Sequence, residues 1–220
     1  IPFSFNNFEN LRNIVKKRAN ECAAIIMEPA RNSLANKSFL SEIRKTASKN
    51  NCVLIFDEIT SAWRNDTSGV HKELGINPDL ATFGKGMANG YPLSAVVGID
   101  EVMQKVEDIF FSGTFGGETL SLAATNVVID KYKNQDVAIY LDELGQYLLT
   151  ALNRLIDDKG LQSVFYTSGH PVWSFLHIKE QEQYTTFEIK TFFLQEMFKR
   201  GILTLGSHNL SFSHTKADID

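Results

Sequence analysis

The chain has 220 residues, enough for one large or two small domains. Its 22 lysines and arginines against 26 aspartates and glutamates leave a net charge of −4, which gives no reason to expect nucleic acid as a partner. No apolar run is long enough to cross a bilayer, and the opening IPFSFNNFEN lacks the basic and apolar regions of a signal peptide.

Phe8 to Asn20 carries Leu11, Ile14, Val15 and Arg18 at helical spacing and predicts an amphipathic helix. Ala23 to Met27 is a short apolar run closed by Glu28-Pro29, expected to be a central strand stopped by the proline. Asn36 to Asn50 predicts a second helix with Phe39, Leu40, Ile43 and Ala47 on its buried face, and Cys52 to Phe56 reads as a buried parallel strand. Strand, helix, strand in that order makes a right-handed parallel crossover. Leu80 to Phe83 is a further short strand after the turn Asn77-Pro78-Asp79. Leu93 to Val97 is another after Tyr91-Pro92. Asp100 is expected to cap a helix over 101–106. Helices follow from near Glu118 through Tyr132 and from Asp136 to Asp158.

The character then changes. Gly160 to Tyr166 and Val172 to Ile178 read as strands around the turn Ser168-Gly169-His170-Pro171. Thr186 to Arg200 is an amphipathic helix stopped by Gly201, and Ile202-Leu203 and Leu210 to Phe212 are short extended pieces. The expected boundary falls inside the helical stretch near residue 136. Residues 1–135 form part of a large α/β domain, and 136–220 form a connecting helix with a small α/β lobe. Thr215 and Asp218 form a helix-start signal at the end of the chain. With Ile1 standing where an initiator would, that signal suggests a fragment.

Cys22 and Cys52 form no CxxC and no disulfide framework, a usage that suggests the cytosol. Histidines 71, 170, 177, 208 and 214 make no metal-ligand motif and read as packing or surface residues. The stretch 54–85 draws the candidate chemistry together. Its apolar strand ends on two carboxylates, Asp57 and Glu58, where open α/β sheets place ligands. It closes on Gly84-Lys85-Gly86, a lysine with small neighbours on both sides. A lysine amine able to form a Schiff base and an aspartate able to hold a pyridinium nitrogen protonated would suit pyridoxal phosphate (PLP). On the residues alone, a magnesium site, a helix start or a solvated rim remain open for Asp57-Glu58, and a surface turn for Gly-Lys-Gly. Ser112 to Gly117 is a glycine-containing turn ahead of a helix, suited to an anion and equally to a simple helix cap.

The words FDEI, WR, GINPDLATFGKGMANGYPLSAVVG and SGTFGGETLSLAAT together resemble the class III PLP-dependent aminotransferases, within them the glutamate-1-semialdehyde aminomutase branch. The resemblance covers essentially the whole chain, although whole family members are roughly twice as long. It implies the fold type I architecture, with part of a large, mainly parallel sheet flanked by helices on both faces and a small C-terminal lobe. It implies that Lys85 forms the Schiff base and moves a proton, that Asp57 faces the ring nitrogen, and that Ile59 packs on the ring. Thr114 would touch the phosphate of the cofactor in the other subunit, which makes a homodimer with shared sites. The phosphate-binding turn and the stacking aromatic of each site would lie outside these residues. Thr60 stands where relatives often have Gln or Met, and Gly116-Gly117-Glu118-Thr119 and Arg31-Asn32-Ser33 also depart from the branch. A plain transaminase acting on an amino donor and a keto or aldehyde acceptor therefore fits as well as an aminomutase. An inactive fragment or paralogue acting by association is the alternative of another class.

Overall fold

The computed structural model describes residues 1–18, 21–64 and 66–220. The chain divides into two compact units, Ile1–Asp136 and Val137–Asp220. In the first unit a four-stranded sheet has the order β1 (Ala24–Met27), β2 (Val53–Asp57), β3 (Leu80–Phe83), β4 (Ala95–Gly98). The pairs β1–β2 and β2–β3 are parallel and β3–β4 is antiparallel. This is the mixed, mainly parallel sheet expected of the fold. Among the described residues β1 is the outermost strand of this sheet, and Ile26 on it is exposed.

Helix α1 (Phe8–Arg18) buries Leu11 and Val15. Ala19 and Asn20, the end of the helix expected from the sequence, lie outside the described residues. Helix α2 (Lys37–Lys49) buries the four residues its periodicity selects, Phe39, Leu40, Ile43 and Ala47. These join Ile25, Met27, Leu54 and Phe56 in one core. Ile43 and Leu40 are fully buried, and truncating either to alanine costs about 2–5 kcal/mol. Asp79 ties this layer to the amino end of the sheet. Its carboxylate accepts from the Leu54 amide at 2.7 Å and pairs with the half-buried Arg44 of α2 at 2.8 Å.

Between β2 and β3 the chain forms a short helix, α3 (Val70–Leu74). After β3 comes a tight turn of 3₁₀ helix, Lys85–Ala88. Pairing with β3 moves β4 two residues later than the apolar run Leu93–Val97 suggests. Gly98 closes it, because a Cβ there would stand 2.3 Å from Leu80 Cδ2. Helix α4 (Asp100–Met103) has Ile99, not Asp100, at the cap position. Asp100 instead occupies the first turn, where a carboxylate suits the helix dipole. A 3₁₀ turn, Gln104–Asp108, continues it. Helix α5 (Thr119–Asn134) is capped by the Glu118 side chain, which accepts from the Leu120 and Ser121 amides.

The second unit opens with α6 (Val137–Asp158). It packs on an antiparallel sheet of β5 (Phe165–His170), β6 (Trp173–Ile178) and β7 (Ser207–Asn209). Gly145 of α6 meets the hairpin closely, since a Cβ there would fall 2.2 Å from the Pro171 carbonyl oxygen. The hairpin turn is Pro171-Val172, with His170 opposite Trp173. The expected turn residues Ser168, Gly169 and His170 are in the strand instead. Gly169, at φ +96, lets the β5 backbone lie against β6 with no room for a side chain. Helix α7 (Thr186–Lys199) starts on a capping box of Thr185 and Glu188 and ends before Gly201 at φ +78. The last strand is the polar Ser207–Asn209 rather than Ile202-Leu203 or Leu210–Phe212. It is held by pairing with β6 and by a bond between Ser174 Oγ and His208 Nδ1 of 3.0 Å. The Thr215–Asp218 capping box forms and starts one turn of 3₁₀ helix, Lys216–Asp218.

Candidate active site

The parallel register of β2 and β3 sets Asp57 beside Thr82, so both strands deliver their next residues at one end of the sheet. Asp57 is half-buried. Its Oδ1 accepts from the Ile59 amide at 3.0 Å and from the Thr82 hydroxyl at 3.2 Å. Among the described residues no cation pairs with it, and both bonds fall on the same oxygen. Oδ2 accepts no bond among the described residues and can accept from a ligand N–H.

The loop after Asp57 is fixed by its neighbour. Glu58 is fully buried, and its carboxylate accepts from the amides of Val70 and His71 at 3.1 and 2.9 Å and from the Ser61 hydroxyl. It also bonds His71 Nδ1 at 3.0 Å. The carboxylate thus satisfies orphan amides at the start of α3 and closes the loop 59–69 onto the strand end. Gly69, at φ +85, has a side-chain volume already filled by this group: a Cβ there would lie 2.6 Å from Glu58 Cδ. Glu58 is a buttress and has no free oxygen for chemistry.

Lys85 follows Gly84, whose backbone is extended, and has φ 47 in the left-handed region. A non-glycine residue there carries about 1–2 kcal/mol of strain. The surroundings hold it in place. A Cβ on Gly86 would stand 3.0 Å from Trp63 Cβ, and α5 packs against the turn on which Lys85 sits. Tyr132 of α5 donates its hydroxyl to the Trp63 carbonyl at 2.5 Å, edge-on to the indole, and burial pushes its pKa up to about 12. The Lys85 side chain itself is exposed. Its Nζ donates to Thr60 Oγ1 at 2.6 Å, and among the described residues no carboxylate pairs with it. Ile59 lies against the same turn, with its Cγ2 3.5 Å from where a Gly84 Cβ would be.

Asp57, Ile59, Thr60 and Lys85 therefore form one constellation. Thr114 does not share its bonds. It lies in the exposed turn 113–117, closed by Gly116 N to Gly113 O at 3.0 Å and joined to α5 by Glu118 N to Phe115 O at 3.1 Å. Sequence reasoning missed the Lys85–Thr60 contact and the α3 cap. The short spacing of Thr60 from Asp57 was the available signal for the first; nothing local marks the second.

This chain belongs to the class-III aminotransferases, whose family model matches residues 4–213. It is 30% identical over 234 residues to the glutamate-1-semialdehyde 2,1-aminomutase of Archaeoglobus fulgidus, covering 98% of this chain and 55% of that one. It is 27% identical over 226 residues to the 3-aminobutyryl-CoA aminotransferase of Cloacimonas acidaminovorans, covering 99% and 54%. Among solved structures, the FumI protein of Sphingopyxis sp. MTA144 superposes with a TM-score of 0.90 at 24% identity, over all of this chain and 54% of that one. The β-phenylalanine aminotransferase of Variovorax paradoxus gives 0.87 at 24%, again over all of this chain and 54% of the other. The chain thus spans about half the length of the curated relatives it matches.

Proposed function

We propose that the protein to which these residues belong is a PLP-dependent aminotransferase, moving an amino group from an amino donor to a keto or aldehyde acceptor. The observation that carries this reading is an aspartate and a lysine that, among the described residues, have no partner of opposite charge and stand together at the shared carboxyl end of β2 and β3. The donor set fits the cofactor. Lys85 offers a primary amine for the aldehyde carbon, Asp57 Oδ2 an acceptor for the ring N–H, and Ile59 an apolar surface beside the lysine turn. Bound in this way, the cofactor would supply an electron sink for the carbanion formed when the substrate loses its α-proton. In that complex the Asp57 charge would favour a protonated ring nitrogen, and the Lys85 amine would be the base that takes and returns the substrate's α-proton.

Thr114 is assigned to the phosphate of a cofactor held by a second copy, in a homodimer with shared sites. Support comes from the exposed aromatic residues beside it, Phe110, Phe111 and Phe115, of the kind that interfaces cover. The free thiols Cys22 and Cys52 support a cytoplasmic location. The test is borohydride reduction of the whole enzyme followed by peptide mass spectrometry. A reduced cofactor adduct is expected on Lys85, and an adduct on Lys72 or Lys105 rejects the assignment.

A second reading, intramolecular transfer of the aminomutase kind, draws on the 30% identity to aminomutases. Incubation with labelled glutamate and a keto acceptor separates the two: label in the acceptor marks a transferase, and its absence with a productive aminoaldehyde substrate marks a mutase.

A further inference from the structure

Among the described residues, Thr60 is the one side chain that holds the Lys85 amine. Its hydroxyl oxygen lies 2.6 Å from Nζ, closer than an ordinary N–H···O bond. The hydroxyl is itself well placed. Threonine is β-branched and stiff at χ1. Its carbonyl accepts from Arg64 Nε at 2.5 Å, and Ser61, the next residue, is tied to the buried Glu58. Both ends of the contact are thus fixed by the fold: Lys85 by its left-handed backbone between Trp63 and α5, and Thr60 by the closed loop after β2.

A hydroxyl has one proton and two lone pairs. It accepts from an ammonium and donates to the lone pair of a neutral amine, so one side chain serves both protonation states. Valine, of nearly the same shape, serves neither. A long lysine side chain left without a partner samples many rotamers, and that freedom must be lost before its nitrogen meets a reacting carbon.

We propose that Thr60 is a positioning residue for Lys85, holding the amine in reach of the cofactor's aldehyde carbon and of the substrate's α-proton whenever it is not bonded to carbon. This rests on the assignment of Lys85 above. The role is distinct from that of Asp57, which faces the ring and does not touch the lysine through any bond among the described residues.

The experiment compares Thr60→Val and Thr60→Ser in the whole enzyme. The first readout is the rate at which cofactor-free protein, mixed with PLP, forms the adduct that borohydride traps; it does not depend on turnover. A misplaced reacting group costs up to about 100-fold. Thr60→Val is expected to slow capture by at least about 10-fold and to lower kcat similarly, with KM for the amino donor within about 2-fold. Thr60→Ser, which restores the hydroxyl, is expected within about 3-fold of the native rate. Capture and turnover in Thr60→Val within about 2-fold of native, or a serine variant no better than the valine one, overturns the proposal. An adduct on Lys85 with an unaffected valine variant overturns this inference alone. An adduct on another lysine of the native protein overturns the assignment of Lys85 and this inference with it.

Discussion

Two segments of the first unit are candidates for contact with PLP, the first with the cofactor of its own chain and the second with that of another copy, and they are built in opposite ways. Residues 57–64 and 66–71 fold around a buried carboxylate that takes two amides, a hydroxyl and an imidazole. Residues 109–117 are exposed throughout, and the turn around Thr114 rests on two backbone hydrogen bonds. The first segment carries its own supports, so its geometry exists before anything binds. The second is specified only by its turn and by the helix that follows, so what it contacts is decided by whatever covers it. Substitutions in the first should therefore damage structure and chemistry together unless they are isosteric. Substitutions in the second should alter binding alone.

The largest expected effect on turnover is an isosteric one in the preorganised segment. Asp57→Asn keeps the bonds from Ile59 and Thr82 and removes the charge. Turnover should fall by at least about 100-fold with cofactor still bound, as measured by steady-state rates beside the visible absorbance. Near-native turnover would remove Asp57 from the mechanism. Next is Glu58→Ala, which strands the Val70 and His71 amides and the Ser61 hydroxyl in a buried site. A loss of about 3–5 kcal/mol in denaturant unfolding is expected, from orphaned donors at about 1–3 kcal/mol each. A loss under about 1 kcal/mol would mean that the segment is not organised by this group.

Thr114→Val should weaken PLP binding in the whole enzyme by about 10-fold, the loss of one hydrogen bond to a charged group. The denaturation midpoint of the cofactor-free protein should be unchanged, because the side chain makes no bond among the described residues. A matching loss of stability would break the contrast between the segments. The smallest effect concerns Glu118, the residue that joins the Thr114 turn to α5. Its pKa is held below the ordinary 4.5 by the Ser121 hydroxyl and by the amides of Leu120 and Ser121. The folded group binds its proton less readily than the unfolded one. Its contribution to stability is therefore present above pH 4.5 and lost as the pH falls through the lower folded value. Protection of the Leu120 and Ser121 amides, taken relative to their intrinsic exchange rates, should fall in that acid window in the native protein and lose this dependence in Glu118→Gln.

What the sequence made legible follows the same division between local and distant causes. The buried face of α2 and the apolar run of β2 ending on Asp57 depend on neighbours within a few residues, and they stand as read. Helix α3 has only five residues, and the group that satisfies its first amides lies twelve positions back, so no window of periodicity contains it. The hairpin of the second unit escaped for a related reason. Gly169 marks a turn by composition, yet its positive φ accommodates the close approach of β6 within a strand. Strand β7 is polar and exists because β6 offers it an edge. Thr60 was visible as a departure from relatives. Its contact with Lys85 requires β2 and β3 to be parallel neighbours, a fact of pairing rather than of composition.

The left-handed backbone at Lys85 has a consequence for anyone who would make this protein hardier. Glycine is the residue that conformation favours, and at this position it would relieve the strain that lysine bears. A campaign of random change scored on heat resistance alone would accordingly tend to discard the lysine, trading the amine proposed to bind the cofactor for a more comfortable chain. Libraries screened that way need position 85 locked, or a colour assay run alongside the heat step.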